Sequence, residues 1–221
     1  MTTAPAVRIW ASVTTVDLGE LVDTAQALQE AGVDGIHVDV SDGVFAPDLT
    51  FGARVVRVLT SRTSLPVEAH LMVTTPEEQL RAVADAGATQ ASFHFEATAY
   101  PWRLAHLARS LGLGVGVAIN PATSLAPLEY LASGIDFVNV LTTEPDGHGE
   151  RFLPQMYKRV AAVRALLEPT CRVEADGGVD TATMPELVRA GASDVVVGRA
   201  LVDSADSHRA LANLRSAAHV L

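Results

Sequence analysis

Several features are scarce or absent in this 221-residue sequence, and each scarcity excludes a class of protein. The single cysteine, Cys171, excludes an internal disulfide framework. No apolar run is long enough to predict a transmembrane helix. The N-terminal residues 1–5 do not show the basic and apolar regions of a signal peptide. We therefore expect a soluble, cytoplasmic protein without a membrane partner.

Positive charge is also scarce, since 16 Lys and Arg residues face 26 Asp and Glu residues, for a formal net charge of -10. This balance, together with the absence of a basic run, argues against a nucleic-acid partner. An anionic small molecule stays compatible with it, because backbone N–H groups can bind a phosphate locally. Hydrophobic residues make up 48% of the chain, enough for a sizeable core.

A junction at which a helical pattern ends and an apolar run begins recurs along the chain, and we call it a joint. Each joint contains a glycine, the residue favoured just past a helix C-terminus because it adopts a positive φ without strain. Successive joints lie about 25 residues apart, or about twice that, which is the length that one strand, one helix and two short loops require. The joint glycines are Gly32, Gly87, Gly112, Gly134 and Gly191.

This period predicts eight strands that alternate with helices. With no linker composition anywhere, the pattern predicts an α/β fold in which residues 1–221 form a single (β/α)₈ TIM-barrel domain. An open doubly wound sheet is the alternative, but no Gly-x-Gly-x-x-Gly follows the first strand. Asp17 and Asp180 are the predicted N-caps of the first and a late helix. The predicted strands are 7–12, 36–40, 67–72, 91–95, 114–119, 137–141, 172–176 and 194–197.

The second predicted strand carries polar side chains on one face only. His37 and Asp39 alternate with aliphatic residues and therefore point the same way. Burying an imidazole beside a carboxylate is costly unless another group compensates. A divalent metal would do so, because both groups are good ligands. A His–Asp hydrogen-bonded pair at a strand end is the plain alternative.

Polar residues also end several other predicted strands. Active sites of (β/α)₈ barrels lie at the C-terminal ends of the strands, so these side chains should meet at the barrel mouth. Two histidines and two carboxylates from three strands make a plausible metal set, namely His37, Asp39, His70 and Asp176. The other strand-end residues are Ser12, His94, Glu96 and Asn120.

Glycines follow the last two predicted strands, as Gly177-Gly178 and as Gly198-Arg199. In such barrels these two loops often bind a phosphate. Arginine adds charge-assisted, bidentate hydrogen bonds. A tight turn and a surface salt bridge are the plain alternatives for the glycine pair and for Arg199, respectively.

Four stretches, in order along the chain, resemble signature sequences of the ribulose-phosphate 3-epimerase family. They are His37–Gly43, Glu68–Met72, Gly116–Thr123 and Glu174–Val179. The resemblance runs nearly end to end. It implies a (β/α)₈ barrel, a phosphorylated ketose as substrate and one divalent metal ion per chain, usually zinc, with iron, manganese or cobalt as alternatives. We also expect a homo-oligomer.

The same resemblance implies roles for individual residues. The metal ligands would be His37, Asp39, His70 and Asp176, and Asp39 and Asp176 would also form the catalytic acid–base pair. It also implies that Ser12 contacts the substrate and that Met72 caps the metal. With the strand-end Asn120, the loop glycines and Arg199 added, the expected substrate-binding residues are Ser12, Met72, Asn120, Gly147, Gly149, Gly177, Gly178, Gly198 and Arg199.

The chemistry of epimerisation fits these residue types independently. Inversion at a carbon next to a carbonyl removes a proton from one face and returns one to the other, which favours two carboxylates on opposite sides. The intermediate is an enediolate, whose charge a metal stabilises. The expected reaction is inversion of C3 of a ketose phosphate, with D-ribulose 5-phosphate as the default substrate.

Departures from the family pattern concentrate around the substrate. The family's Asn-Pro-Gly-Phe-Gly-Gly-Gln after the sixth strand is replaced by residues 144–150, which lose glycines and gain acids. A methionine of the second strand is Ser41 here, and a Gly-Ser after the eighth is Gly198-Arg199. The acids predict a preference for a longer or differently configured ketose phosphate, because a carboxylate repels a phosphate.

Two other functional classes stay open at this point. One is a lyase of the hexulose-phosphate synthase or orotidine-phosphate decarboxylase type, whose Asp-x-Lys-x-x-Asp cluster has no Lys counterpart in the second strand here. The other is a non-catalytic sugar-phosphate binder, against which the retention of all four ligand residues argues.

Overall fold

Eight parallel strands close into a barrel in the computed structural model, in sequence order, with the last strand paired to the first. The structure describes residues 7–145 and 151–219. The strands are β1 (Arg8–Ser12), β2 (Gly35–Ser41), β3 (Val67–Met72), β4 (Gln90–His94), β5 (Gly114–Ile119), β6 (Phe137–Leu141), β7 (Arg172–Asp176) and β8 (Asp194–Val197).

Helices follow the strands and form the outer layer. They are α1 (Leu21–Ala31), α2 (Ala53–Arg62), α3 (Pro76–Asp85), α4 (Pro101–Ser110), α5 (Ala126–Leu131), α6 (Met156–Leu166), α7 (Met184–Arg189), α8 (Arg199–Val202) and α9 (Ser207–Ala218). Within the described ranges, none of these helices is long and apolar enough to cross a membrane. The predicted (β/α)₈ barrel is confirmed.

The predicted strands agree with the observed ones to within about a residue at each end. The fourth differs because Phe95 begins a 3₁₀ turn, so that β4 ends at His94. The predicted N-cap at Asp17 is wrong: α1 begins after Glu20, and the Asp17 carboxylate instead accepts a hydrogen bond from the Gly19 N–H. A short polar side chain satisfies a turn as readily as a helix start, so residue type alone does not separate the two.

The other predicted cap also lies one turn ahead of its helix. The Asp180 carboxylate accepts hydrogen bonds from the Ala182 and Thr183 N–H groups, and Thr183 directly precedes α7. Four of the five joint glycines have positive φ, as predicted. Gly134 does not, and its role is steric, because a Cβ there would lie 2.6 Å from the Trp102 ring.

The outer face of the barrel is aliphatic, and its inner face is largely polar. On β2, for example, Ile36, Val38 and Val40 are buried on the side opposite His37 and Asp39. At the other end of the barrel, the fully buried Asp194 is paired with Arg8 at 2.6 Å and accepts a hydrogen bond from the Trp10 indole. A buried carboxylate is tolerated only with such partners. The strand-start end is therefore closed by paired charges.

Glycine makes room for an aromatic ring inside the barrel. Gly116 on β5 pairs in register with Phe137 on β6, and a Cβ at Gly116 would lie 2.2 Å from the Phe137 ring. Both residues are buried, so the ring cannot swing into solvent.

We expect Gly116→Ala to lower the free energy of unfolding by about 1–3 kcal/mol, the usual cost of overpacking a core. Urea unfolding followed by circular dichroism measures it. Gly52→Ala is the control, because nothing lies within 4 Å of a Cβ at Gly52, and it should cost no more than about 1 kcal/mol. Equal midpoints for wild type and Gly116→Ala would contradict the steric role.

Candidate active site

Four predicted side chains converge at the C-terminal end of the barrel. Asp39 on β2 pairs in register with His70 on β3, and His37 lies two residues earlier on β2. Asp176 ends β7 and reaches the same point across the barrel. The two histidine side chains are fully buried, whereas Asp39 and Asp176 stay 15% and 12% exposed. The carboxylates therefore face the barrel mouth, with the imidazoles beneath them.

Each imidazole faces one oxygen of each carboxylate. His37 Nε2 lies 3.1 Å from Asp39 Oδ1 and 3.4 Å from Asp176 Oδ2. His70 Nδ1 lies 3.0 Å and 3.3 Å from the same two oxygens. Ligand atoms at the corners of a tetrahedron about 2.0–2.1 Å from a zinc ion are about 3.3 Å apart. The four atoms thus have the types and spacing to hold one divalent cation.

The electrostatics of the cluster also favour a positive charge at its centre. Burial lowers the pKa of His70, but its hydrogen bonds to Asp176 and Asp39 outweigh burial and raise that pKa to about 9. The His37 pKa is likewise held well above its ordinary value, because the Asp176 and Asp39 carboxylates outweigh burial. Burial raises the Asp39 pKa, yet His37 and His70 bring it well below its usual value. Protons or a metal ion can supply this charge, and a metal requires the neutral imidazoles.

The second oxygen of Asp39 is held by hydroxyl groups. Ser12 Oγ lies 3.3 Å from Asp39 Oδ2, and Thr14 Oγ1 donates to the same oxygen. This leaves Asp39 Oδ1 directed at both histidines. Ser12 is thus at the site that the sequence predicted. Thr14 was missed, although its position two residues after Ser12 is the available signal.

Asp176 is oriented by one residue within the neighbouring strand β6 and one just after it. Asn139 Nδ2 donates to Asp176 Oδ2 at 3.1 Å, and Thr142 Oγ1 donates to the Asp176 backbone carbonyl at 2.9 Å. Both residues are fully buried. Sequence reasoning missed both, yet a lone amide within the apolar strand Phe137–Leu141 is a signal for an inward-facing polar role.

A second histidine pair extends the site sideways. His94 Nε2 lies 2.9 Å from His70 Nε2, and His94 Nδ1 lies 3.2 Å from Glu96 Oε2. Burial lowers the His94 pKa to about 4, despite the neighbouring Glu96. Burial raises the Glu96 pKa, but hydrogen bonds from His94, Thr123 and Asn120 outweigh it and bring that pKa to about 2. His94 is therefore neutral and Glu96 ionised at neutral pH.

Buried carboxyl groups also lie below the site. Glu68 Oε1 is 3.7 Å from His37 Nδ1, and Glu174 belongs to the same fully buried cluster. Burial and the nearby Glu68 raise the Glu174 pKa well above its ordinary value, which favours the neutral form of Glu174. The alternation of polar residues along β3 and β7 was the signal that sequence reasoning left unused.

The glycines predicted to bind a phosphate lie directly after β7 and β8, and Gly198 is close to Ser12. A Cβ at Gly198 would lie 3.9 Å from Ser12 Cβ. Gly177 and Gly178 have φ of 116° and 64°, and a Cβ at Gly178 would lie 2.7 Å from the Phe152 backbone nitrogen. Arg199 is exposed at the start of α8.

The other predicted substrate contacts are distributed around the mouth. Met72 ends β3 beside Ser41 in register. Asn120 follows β5, and its backbone N–H donates to Glu96. Among the residues that the structure describes, none donates a hydrogen bond to its buried Oδ1. Gly147 and Gly149 lie outside the residues that the structure describes.

Curated relatives match this chain over most of its length. The "Ribulose-phosphate 3-epimerase" of Methanocaldococcus jannaschii is 34% identical over 215 residues, covering 96% of this chain and 91% of the relative. The protein of that name from Mycobacterium tuberculosis is 37% identical over 207 residues, covering 92% and 90%. That from Bacillus subtilis is 30% identical over 213 residues, covering 95% and 98%.

Solved structures share the fold at low identity. Orotidine 5'-phosphate decarboxylase from Pyrococcus horikoshii superposes with a TM-score of 0.71 at 16% identity, covering 96% of this chain and 100% of the other. A 3-hexulose-6-phosphate synthase gives 0.69 at 20% identity, covering 95% and 99%. The model of the ribulose-phosphate 3 epimerase family matches residues 8–202. With this match and relatives of 30–37% identity, the chain belongs to the ribulose-phosphate 3-epimerase family of isomerases.

Proposed function

We propose that this isomerase inverts C3 of D-ribulose 5-phosphate to give D-xylulose 5-phosphate, with Asp39 and Asp176 as its two bases. The observation that carries the proposal is the placement of these carboxylates on β2 and β7, with Oδ1 of one and Oδ2 of the other against the same two imidazoles. The substrate itself is proposed from the names of the relatives.

In the proposed reaction, one carboxylate accepts the proton from C3 and the other donates a proton to the opposite face. Two groups are needed because a single carboxylate cannot easily reach both faces of a planar intermediate. The hydroxyls of Ser12 and Thr14 hold Asp39, and the Asn139 amide holds Asp176, so each base keeps its direction while its protonation changes.

Zinc is the proposed cation, held by His37 Nε2, His70 Nδ1, Asp39 Oδ1 and Asp176 Oδ2. When bound, a divalent cation supplies positive charge beside the enediolate oxygens, which lowers the cost of forming that intermediate. The phosphate is proposed to lie at Gly177, Gly178, Gly198 and Arg199, on the neighbouring loops after β7 and β8. Gly147 and Gly149, which belong to the loop after β6, remain proposed substrate contacts.

The acidic loop after β6 favours a second candidate, a six- or seven-carbon ketose phosphate. Glu144, the first of its three acids, is exposed, so this carboxylate does not have to face a phosphate. That weakens the repulsion argument, and we retain ribulose 5-phosphate as the proposed substrate.

We expect kcat/KM to be highest for ribulose 5-phosphate among five-, six- and seven-carbon ketose phosphates, at about 10⁴ M⁻¹s⁻¹ or more. Solvent deuterium incorporation at C3, followed by NMR, detects turnover of any member of the panel. A clear optimum for a longer sugar would show that the loop after β6 has changed the substrate. Absence of C3 exchange across the whole panel would contradict epimerase activity.

We expect one divalent ion per chain in carefully purified protein and much less in His70→Ala, which loses one of four ligands. Elemental analysis of both proteins measures this. His208→Ala, at an exposed histidine on α9, is the control and should keep the wild-type content. Equal metal contents in the wild type and His70→Ala would remove His70 from the metal set.

We expect Asp176→Asn to lose epimerisation by about 100-fold or more, because an amide cannot exchange a proton with C3. One substrate epimer should still exchange its C3 hydrogen with solvent, since Asp39 remains. Metal content is measured in parallel, because Asp176 is also a proposed ligand. Asp203→Asn, at an exposed position after α8, is the control. Wild-type epimerisation by metal-loaded Asp176→Asn would rule out the two-base mechanism.

A further inference from the structure

We propose that Glu96 and His94 form a hydrogen-bond relay that fixes the tautomer of His70 and thereby keeps His70 Nδ1 available as a metal ligand. The inference rests on the proposed metal set and assigns a positioning role to two residues outside it. The relay runs from Glu96 Oε2 to His94 Nδ1 over 3.2 Å, and from His94 Nε2 to His70 Nε2 over 2.9 Å.

The relay has a direction because it begins at a carboxylate. An ionised carboxylate only accepts hydrogen bonds, so the hydrogen between Glu96 and His94 belongs to His94 Nδ1. A neutral imidazole with its hydrogen on Nδ1 has a lone pair on Nε2. His94 Nε2 is therefore the acceptor in its contact with His70.

The direction of that second contact decides the state of His70. If His94 Nε2 accepts, His70 Nε2 must carry a hydrogen and donate it. In neutral His70, the remaining lone pair is then on Nδ1, the atom that faces Asp39 Oδ1 at 3.0 Å and Asp176 Oδ2 at 3.3 Å. Metal-ligating histidines generally donate their other N–H to such a partner, which sets the tautomer and the ring orientation.

The other oxygen of Glu96 is also occupied. Glu96 Oε1 accepts from the Asn120 N–H at 2.9 Å and from the Thr123 hydroxyl. Both groups of the loop after β5 are donors towards Glu96, so an acceptor is required on that side. The Glu96 carboxylate thus meets hydrogen-bond donors on both oxygens, which a carboxamide cannot do.

The relay is held in place from two further sides. The Phe45 ring packs on His94 with a centroid distance of 4.4 Å. Arg159 on α6 donates to the backbone carbonyls of Asn120, at 3.3 Å, and Thr123. These contacts limit rotation of the His94 ring and movement of the loop after β5. A substitution of Glu96 should therefore change the positions of the imidazole hydrogens without a collapse of the site.

The decisive variant is Glu96→Gln. Its carbonyl oxygen is expected to face Asn120 and Thr123, which need an acceptor, so its NH₂ group faces His94 Nδ1. His94 must then carry its hydrogen on Nε2 and point it at His70 Nε2. The relay is reversed without a change in side-chain size, and Nδ1 becomes the hydrogen-bearing nitrogen of His70.

We expect Glu96→Gln to weaken Zn²⁺ binding about 10- to 100-fold, as loss of such outer partners does in other metal sites. Competition with a chromophoric chelator measures the Kd. Two-bond ¹H–¹⁵N correlation spectra of the imidazoles, recorded on metal-free protein above the His70 pKa of about 9, where His70 is neutral, read the tautomer. His94 should carry its hydrogen on Nδ1 in the wild type and on Nε2 in Glu96→Gln. Glu77→Gln is the matched control, because Glu77 is an exposed partner of Arg103 on α4.

A second variant separates the relay from packing. His94→Leu keeps a side chain of similar volume but removes both ring nitrogens, which are the hydrogen-bonding atoms. It should also weaken Zn²⁺ binding. Because Glu96 acts through His94, adding Glu96→Gln to His94→Leu should cause little further loss of affinity. A purely structural role for Glu96 would instead give additive losses.

Several results would overturn the relay. These are an Nε2-bound hydrogen on His94 in the wild type, unchanged Zn²⁺ affinity in Glu96→Gln with the tautomer reversed, or additive losses in the double variant. Failure of the wild type to bind Zn²⁺ would instead contradict the proposed metal set. In that case the spectra of metal-free protein still decide whether Glu96 sets the tautomer of His94.

Discussion

The meeting of two carboxylates with two imidazoles inside a largely buried barrel mouth is the constraint on which the rest of the site depends. Asp39 Oδ1 and Asp176 Oδ2 both lie within 3.4 Å of His37 Nε2, so the two negative groups are held close together. Like charges at such a distance repel strongly unless positive charge lies between them. The positive charge can come from protons on the imidazoles or from a bound cation. Cation binding therefore competes with protonation of the two histidines.

The surrounding polar groups are arranged around that constraint. Each group of the cluster has a separate neighbour: hydroxyls for Asp39, an amide for Asp176, His94 for His70, and Glu68 beyond His37. Polar groups of this kind are costly inside a protein, and their cost is reduced where hydrogen bonds satisfy them. At the opposite end of the barrel, Asp194 and its arginines close the interior. The hydrophobic stability of the fold therefore comes from the layer between strands and helices rather than from the barrel interior.

Much of the fold was accessible from the sequence because it depends on local patterns. The spacing of joint glycines and the aliphatic outer faces predicted all eight strands, and both patterns reflect backbone and burial requirements of single segments. The position of the α1 start was not accessible, because an Asx turn at Asp17 and an N-cap use the same residue type. Gly134 was read as a turn residue, but its contact with Trp102 is a tertiary feature that no local pattern reveals.

Some residues of the candidate site could likewise be predicted from the sequence, and others could not. Residues at strand ends were collected by position alone, and four of them meet. Thr14 and Asn139 were missed because their roles depend on which side chain lies opposite, across strands far apart in sequence. His94 and Glu96 were noted as strand-end residues, but the link from one to the other and on to His70 depends on ring orientation. Periodicity identifies which face a residue occupies, whereas hydrogen-bond partners follow only from the assembled barrel.

The base of the loop after β6 is closed by its own backbone. The Leu153 N–H donates to the Thr142 carbonyl at 2.9 Å, and the Thr142 hydroxyl is anchored to the β7 end. The two residues that flank the intervening segment, Thr142 and Leu153, are therefore bonded to each other beside the end of β7. Because these hydrogen bonds use the residues that flank the segment, a change of composition within it leaves the bonds that hold the β7 carboxylate end in place. Such a change would alter the contacts to the sugar phosphate without rebuilding the two proposed proton-transfer groups.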